Sequence, residues 1–191
     1  LPTFYKMETE VAEKLLSEER RVYDESLYDS IGDEEIRKQS RFALTDEQVR
    51  AVKQGLIEPS SIVTGLPGTG KTTILNTLCR SLIERKEKIL LVAPTGIAAK
   101  RVASLTGLEA MTIHRAFGAG MPDDEKKEKS DYEGIKKGED DSLNTKGESD
   151  RHKESWRHHP QNPRSESVVI IDEASMVDLH LMWRLLRGIS P

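Results

Sequence analysis

One stretch, Gly65-Leu66-Pro67-Gly68-Thr69-Gly70-Lys71-Thr72-Thr73, constrains this chain more than any other. It carries the Gly-x-x-x-x-Gly-Lys-Thr pattern, and its setting matters as much as its letters. The β-branched run Ile62-Val63-Thr64 stands before it and reads as a strand, and the amphipathic run from Ile74 to Glu84 follows and reads as a helix. That order brings bare backbone to a helix N-terminus, where N–H groups can surround an anion. Side chains at the glycines would hold the backbone away from phosphate oxygens. The pattern therefore assigns a phosphate-binding role to Gly65, Pro67, Gly68, Thr69, Gly70, Lys71, Thr72 and Thr73. Lys71 is spaced to reach the β- and γ-phosphates of a nucleotide, and the Thr72 hydroxyl to ligate Mg²⁺.

Two further apolar runs end in residues that carry chemistry. Lys88-Ile89-Leu90-Leu91-Val92-Ala93 stops at Pro94-Thr95-Gly96, and Val168-Val169-Ile170-Ile171 stops at Asp172-Glu173. Each run reads as a parallel strand, and the segments between them as helices. A shorter unit, Ala110-Met111 extended and Thr112 capping a turn that holds His114, lies between them. Strands alternating with helices predict an α/β fold, a parallel doubly wound sheet whose ligands sit at the carboxyl ends of the strands. Asp172 can hold Mg²⁺ through water, and Glu173 can orient and deprotonate a water attacking a γ-phosphate. An apolar run ending in two acids is common, and it becomes informative only with the phosphate loop upstream. A guanine nucleotide is excluded: Ser175 stands where GTPase switches carry glycine, and Thr145-Lys146-Gly147-Glu148 lies in a charged block before the acidic strand.

The rest of the chain is less specific. Residues 1–43 read as a helical lead-in with a thin apolar stripe, Val11, Leu15 and Leu16, and a break at Gly32-Asp33. Thr45 and Gln48 form a capping box that opens a helix running through Leu56. From Met121 to Glu154 charged residues of both signs crowd out apolar ones, so that segment is expected to be a solvated, mobile insertion, part of a charged block at about 119–166. His152, His158 and His159 lie nearby, but without cysteines or regular ligand spacing they do not make a metal site. Net charge is −4, so any hold on nucleic acid must come from a local basic surface. Cys79 is the only cysteine, no signal-peptide pattern opens the sequence, and no apolar run is long enough for a bilayer; a cytoplasmic setting is expected. The sequence opens on Leu1 and stops at Pro191 after a helical pattern, which reads as a piece of a longer protein.

Taken together, Gly65–Thr73, Leu91–Arg101, Thr112–Phe117 and Ile170–Asp178 resemble motifs I, Ia, its follower and II of superfamily 1 DNA helicases. The likeness is strongest to the RecD-like branch, which includes the α subunit of exodeoxyribonuclease V and its stand-alone relatives. Leu44–Val52 resembles the family's Q motif, which would give Gln48 an adenine-reading role. The resemblance implies a P-loop NTPase fold of the RecA-like type, ATP and Mg²⁺ as cofactors, and 5′→3′ movement on single-stranded DNA ahead of duplex junctions. It makes Lys71 and Glu173 catalytic, and implies DNA contacts from Pro94, Thr95, Lys100, Arg101, Thr112 and His114. Hydroxyls, loop N–H groups and cations suit a phosphate backbone that is tracked without regard to sequence. A solvated helix face explains Lys100 and Arg101 equally well on sequence alone, and a core or capping role explains His114.

Residues 44–191 would then be the first RecA-like ATPase domain. Motif III, the second motor domain and the arginine that completes the ATP site would lie outside the sequence, which alone is expected to turn over ATP slowly and not to unwind DNA. The family pattern also implies subunits of a nuclease–helicase complex as partners of some members. Two other readings remain open: a P-loop ATPase of another kind acting on DNA, and a nucleotide-binding scaffold that has lost turnover.

Overall fold

A computed structural model describes residues 2–19, 25–119 and 156–189. The elements run α1 (Pro2–Glu19), α2 (Glu25–Ser30), α3 (Asp33–Gln39), α4 (Asp46–Ile57), α5 (Lys71–Glu84), β1 (Ile89–Ala93), α6 (Gly96–Thr106), β2 (Ala110–Thr112), α7 (Ile113–Ala116), β3 (Val168–Ile171), a 3₁₀ turn (Ala174–Met176) and α8 (Leu179–Gly188). The three strands form one sheet in the order β2-β1-β3, parallel throughout. The expected α/β fold, a parallel sheet flanked by helices, is present.

Strand β1 is central because it is apolar on both faces: Leu90, Leu91, Val92 and Ala93 are all buried. Its register fixes where the motif loops emerge. Val92 is level with Met111 on one side and Ile171 on the other. The Asp172 N–H donates to the Val92 carbonyl at 2.9 Å, carrying the β3 ladder one residue further. Pro94-Thr95-Gly96, Thr112–His114 and Asp172-Glu173 therefore all leave the same carboxyl edge of the sheet.

Helices cover the sheet through cores of different character. Leu90 and Val92, two apart and so on one face, join Ile113, Ala116, Phe117, Trp156, Leu181 and Leu185. Ala93 packs with Ala98 and Ala99, whose small side chains let α6 approach the strand end. Ile31, Ile36, Leu44, Val49, Val52 and Ile74 form a third cluster that joins α3, α4 and α5. The buried Lys53 of α4 is neutralised there by Asp33, 2.6 Å away, and lies over the Tyr28 ring.

The lead-in is helical as expected, but of its apolar stripe only Val11 faces α8, lining a cleft with Trp183 and Leu186. Leu15 and Leu16 are exposed. Helix α1 docks on α8 through Glu10, which accepts the Trp183 Nε1–H at 2.6 Å and pairs with Arg187 at 3.6 Å. The Arg184 and Arg187 guanidiniums lie 5.0 and 4.5 Å from the centre of the same indole ring. One carboxylate and one aromatic face hold two ends of the chain together.

Ile62-Val63-Thr64 is not a strand. Residues 61–66 adopt no regular structure, and Ile62 is 89% exposed. Among the described residues this segment pairs with no strand, and a β-branched run with no neighbour gains nothing from extension. The insertion expected at Met121–Glu154 lies outside the described residues. Its charged block nevertheless contributes an ordered return. Ala119 and Trp156 form an antiparallel bridge, His158 N–H donates to Phe117 O at 3.1 Å, and Arg164 donates to Ala116 O.

Candidate nucleotide and DNA site

The phosphate loop ends at Gly70, whose φ of 88° lies in the left-handed region that glycine tolerates without cost. Helix α5 starts at the next residue. No side chain caps it, and no acidic residue stands in its first turn. The N–H groups of that turn and the positive end of the helix dipole are thus directed at the loop without an internal carboxylate in competition. Lys71 Nζ folds onto the loop and donates to Gly65 O at 2.7 Å and Leu66 O at 2.9 Å. Two backbone carbonyls thus hold the Lys71 ammonium on the loop, beside the start of α5. Gly65 to Thr69 are exposed, while Thr72 and Thr73 are half-buried at the helix start. Uncapped amides beside a lysine suit an anion such as a nucleotide phosphate. Thr72 and Asp172 each carry oxygen of the kind that could hold Mg²⁺.

Gln48 reaches this loop by a route sequence reasoning saw only in part. The expected capping box is present: the Gln48 N–H donates to Thr45 Oγ1 at 3.3 Å, and the Thr45 N–H to Gln48 Oε1 at 3.1 Å. The other end of the same amide donates from Nε2 to the Thr69 carbonyl at 3.0 Å. Gln48 therefore ties α4 to the phosphate loop. A Cβ at Gly70 would stand 2.4 Å from that Nε2, so this contact also requires the glycine.

At the carboxyl edge, Asp172 is half-buried and Glu173 exposed. Glu173 has φ 53°, a left-handed conformation that costs an L-residue energy and occurs at functional turns. Its carboxylate accepts from Arg101 Nη1 at 3.4 Å. Thus two residues assigned separately, one to DNA and one to hydrolysis, touch each other. Pro94 and Thr95 are half-buried, and Thr95 caps α6 by accepting the Ala98 N–H at 3.2 Å. Thr112 caps α7 in the same way, accepting from Arg115 N–H at 3.2 Å. Lys100 and His114 are exposed, and the His114 ring lies 5.5 Å from that of Trp156. Among the described residues, no hydrogen bond or ion pair links Lys71 or Thr72 to Asp172 or Glu173. Of the histidines of the charged block, His152 lies outside the described residues, His158 Nδ1 lies 3.2 Å from Asn162 O, and His159 Nδ1 lies 2.8 Å from Gln161 Oε1. Burial holds His158 below the usual imidazole value.

Sequence reasoning missed the Arg101–Glu173 pair and Trp156. The first joins residues far apart in sequence, which no local pattern reveals. The second had a signal, a lone tryptophan in an otherwise polar block.

A parallel sheet with a phosphate loop at a helix start, and strand-end acids on the carboxyl edge, defines a P-loop NTPase. The chain belongs to the AAA domain family, whose model matches residues 48–191. It is RecD-like in sequence over most of its length. It is 31% identical to the RecBCD enzyme subunit RecD of Mycolicibacterium smegmatis over 169 residues, covering 76% of this chain and 25% of that protein. It is 33% identical to the RecD subunit of Haemophilus influenzae over 150 residues (77% and 22%). The ATP-dependent RecD2 DNA helicase of Deinococcus radiodurans is 28% identical over 156 residues, 82% of this chain and 17% of that protein. The chain thus spans a quarter or less of the length of these relatives.

Proposed function

We propose that this chain is the nucleotide-binding motor domain of an ATP-driven helicase that moves 5′→3′ along single-stranded DNA and separates duplex junctions, in DNA recombination or repair. One observation carries the reading: the loops suited to a DNA backbone, Pro94-Thr95-Gly96 and Thr112–His114, leave the same sheet edge as Asp172-Glu173. A motor needs its strand-holding and hydrolytic residues on one rigid frame, so that a change at one is felt at the other.

In this reading the first-turn N–H groups of α5 and Lys71 hold the β- and γ-phosphates of ATP. Gln48 contacts adenine as well as bracing the loop. Thr72 and Asp172 hold Mg²⁺, which when bound neutralises phosphate charge. Glu173 takes a proton from the water that attacks the γ-phosphorus, the bond to the ADP oxygen breaks, and phosphate and ADP leave. Thr95, Thr112, Lys100, Arg101 and His114 hold the DNA backbone, with Pro94 shaping its loop. A second motor domain closes over the nucleotide, and each cycle of closing and opening advances the strand.

The names of two relatives as subunits of the RecBCD enzyme support a setting within a nuclease–helicase complex. A cytoplasmic setting accords with a lone cysteine, Cys79, that burial pushes up to about 11 and so keeps from reacting. Among the described residues, no helix is long and apolar enough to cross a membrane.

The test is ATP turnover by the full-length protein with and without single-stranded DNA, beside Lys71→Ala and Glu173→Gln. Stimulation by DNA that disappears in both variants is expected. Turnover indifferent to DNA would refute the helicase reading.

A further inference from the structure

The contact between Arg101 and Glu173 links the DNA side of the domain to its hydrolytic side. We propose that Arg101 is a positioning residue that restrains Glu173 when no DNA is bound, and that a DNA phosphate releases Glu173 by taking its place on the guanidinium. The inference rests on the functional reading above and assigns to one side chain the communication that reading requires.

Three features of the structure support it. Arg101 Nη1 lies 3.4 Å from Glu173 Oε1, and both side chains keep substantial exposure, 62% and 43%. A single long contact in such a setting is weak enough to be exchanged. A guanidinium accepts phosphate with the same fork of donors that it offers carboxylate, so the exchange is chemically even. The second feature is direction. Helix α6 begins at Gly96, beside the Pro94-Thr95 loop, and Arg101 follows five residues on. That is roughly 7–8 Å along the axis, and helical side chains lean toward the N-terminus. A long arginine can therefore meet a phosphate held at the start of its own helix without any movement of the backbone. The third is Glu173 itself, held at φ 53° in a conformation that needs support from its surroundings. Held by Arg101, its carboxylate has one oxygen engaged on a cation.

The consequence is reciprocal. If DNA and Glu173 compete for one guanidinium, removing the carboxylate must favour DNA as much as DNA favours a free carboxylate. This can be read without turnover. In the full-length protein without nucleotide, Glu173→Gln should bind a fluorescent oligonucleotide roughly two- to fivefold more tightly than wild type, as the loss of an exposed ion pair allows. Arg101→Ala should bind it more weakly, and adding Glu173→Gln to Arg101→Ala should change nothing. Turnover supplies the second arm. Arg101→Ala should hydrolyse ATP faster than wild type without DNA and gain less from saturating DNA, while Arg101→Lys should restore part of the restraint. Added salt, which screens exposed charges, should raise the DNA-free rate of wild type but not of Arg101→Ala.

Additive effects of the two substitutions on DNA affinity would overturn the proposal, as would a DNA-free rate in Arg101→Ala at or below that of wild type. Either result leaves the functional reading standing if wild type is stimulated by DNA. Failure of wild type to bind DNA would refute that reading, and this inference with it.

Discussion

Gly70→Ala offers a quantitative check on how the phosphate loop is held. Gly70 sits at φ 88° and ψ 18°. An alanine in left-handed geometry costs about 1–2 kcal/mol. Its Cβ would also stand 2.4 Å from Gln48 Nε2, too close to coexist with the bond from that nitrogen to the Thr69 carbonyl. The amide must swing away, at a loss of about 0.5–1.5 kcal/mol for one hydrogen bond. Gly70→Ala should therefore lower stability by about 2–3 kcal/mol. Gln48→Ala loses the tether and its half of the capping box, about 1–2 kcal/mol. In the double variant the clash has no partner and the tether is lost only once, so the combined cost should fall about 1 kcal/mol short of the sum. Urea unfolding of the wild type, both single variants and the double variant measures this coupling. Titration with a fluorescent ATP analogue should follow the same order, since a released loop no longer presents its N–H groups in register. Strict additivity would refute the argument, because it would mean that Gln48 and Gly70 do not meet in solution.

Other outcomes follow from the same contacts. Lys53 and the Arg164 side chain bond to Asp33 and Glu166 and hold both carboxyls below the usual carboxylate range. Their contribution is in place above an unfolded-state pKa of about 4 and is lost as pH falls through the lower folded values, so acid should destabilise the chain there. Asp33→Asn should flatten that part of the pH–stability curve at a cost of about 1 kcal/mol near neutrality, since Asp33 is half exposed. Trp156 is 5% exposed, and among the described residues its Nε1–H has no hydrogen-bond partner. Trp156→Ala should cost about 3–5 kcal/mol, whereas Trp156→Phe, which keeps an aromatic ring and removes the unpaired donor, should cost far less; thermal unfolding separates them. Glu10→Ala removes the acceptor that joins α1 to Trp183 and Arg187, and should speed amide hydrogen exchange across residues 2–19 while leaving the sheet protected.

What could be read from the sequence was what local chemistry encodes. The glycines of the phosphate loop, the Thr45–Gln48 box and the apolar runs of β1 and β3 each carry their own instruction, and the structure places them accordingly. The carboxyl-edge arrangement was also legible, because parallel strands separated by helices can end in few other ways. Contacts between distant segments were not. Nothing near Glu10 announces Trp183, and nothing near Arg101 announces Glu173. The threonines show a subtler limit. Thr95 was read for its hydroxyl toward a ligand and Thr112 both as a cap and toward a ligand, and both spend those oxygens on capping. Accepting an N–H leaves the hydroxyl proton available to donate, so one atom can fix a loop and still face a phosphate.

The misread segment, Ile62-Val63-Thr64, shows why β-structure is harder to read than helix. A helix closes its hydrogen bonds within itself, so Thr45, Gln48 and the residues after them suffice to specify α4. A strand is half of a pair, and a β-branched run states only that it could be extended if a neighbour were supplied. Among the described residues β1 has two neighbours, β2 and β3 have one each, and Ile62-Val63-Thr64 has none. The phosphate loop keeps its form without a paired strand behind it because its anchors lie elsewhere: in α5, which starts at Lys71, and in Gln48, which reaches across from α4. The loop's geometry is thus set from the helical side, by the same Gln48 amide for which an adenine-reading role is proposed. Nucleotide binding and loop architecture would then share one side chain, so a substitution at Gln48 should weaken both together.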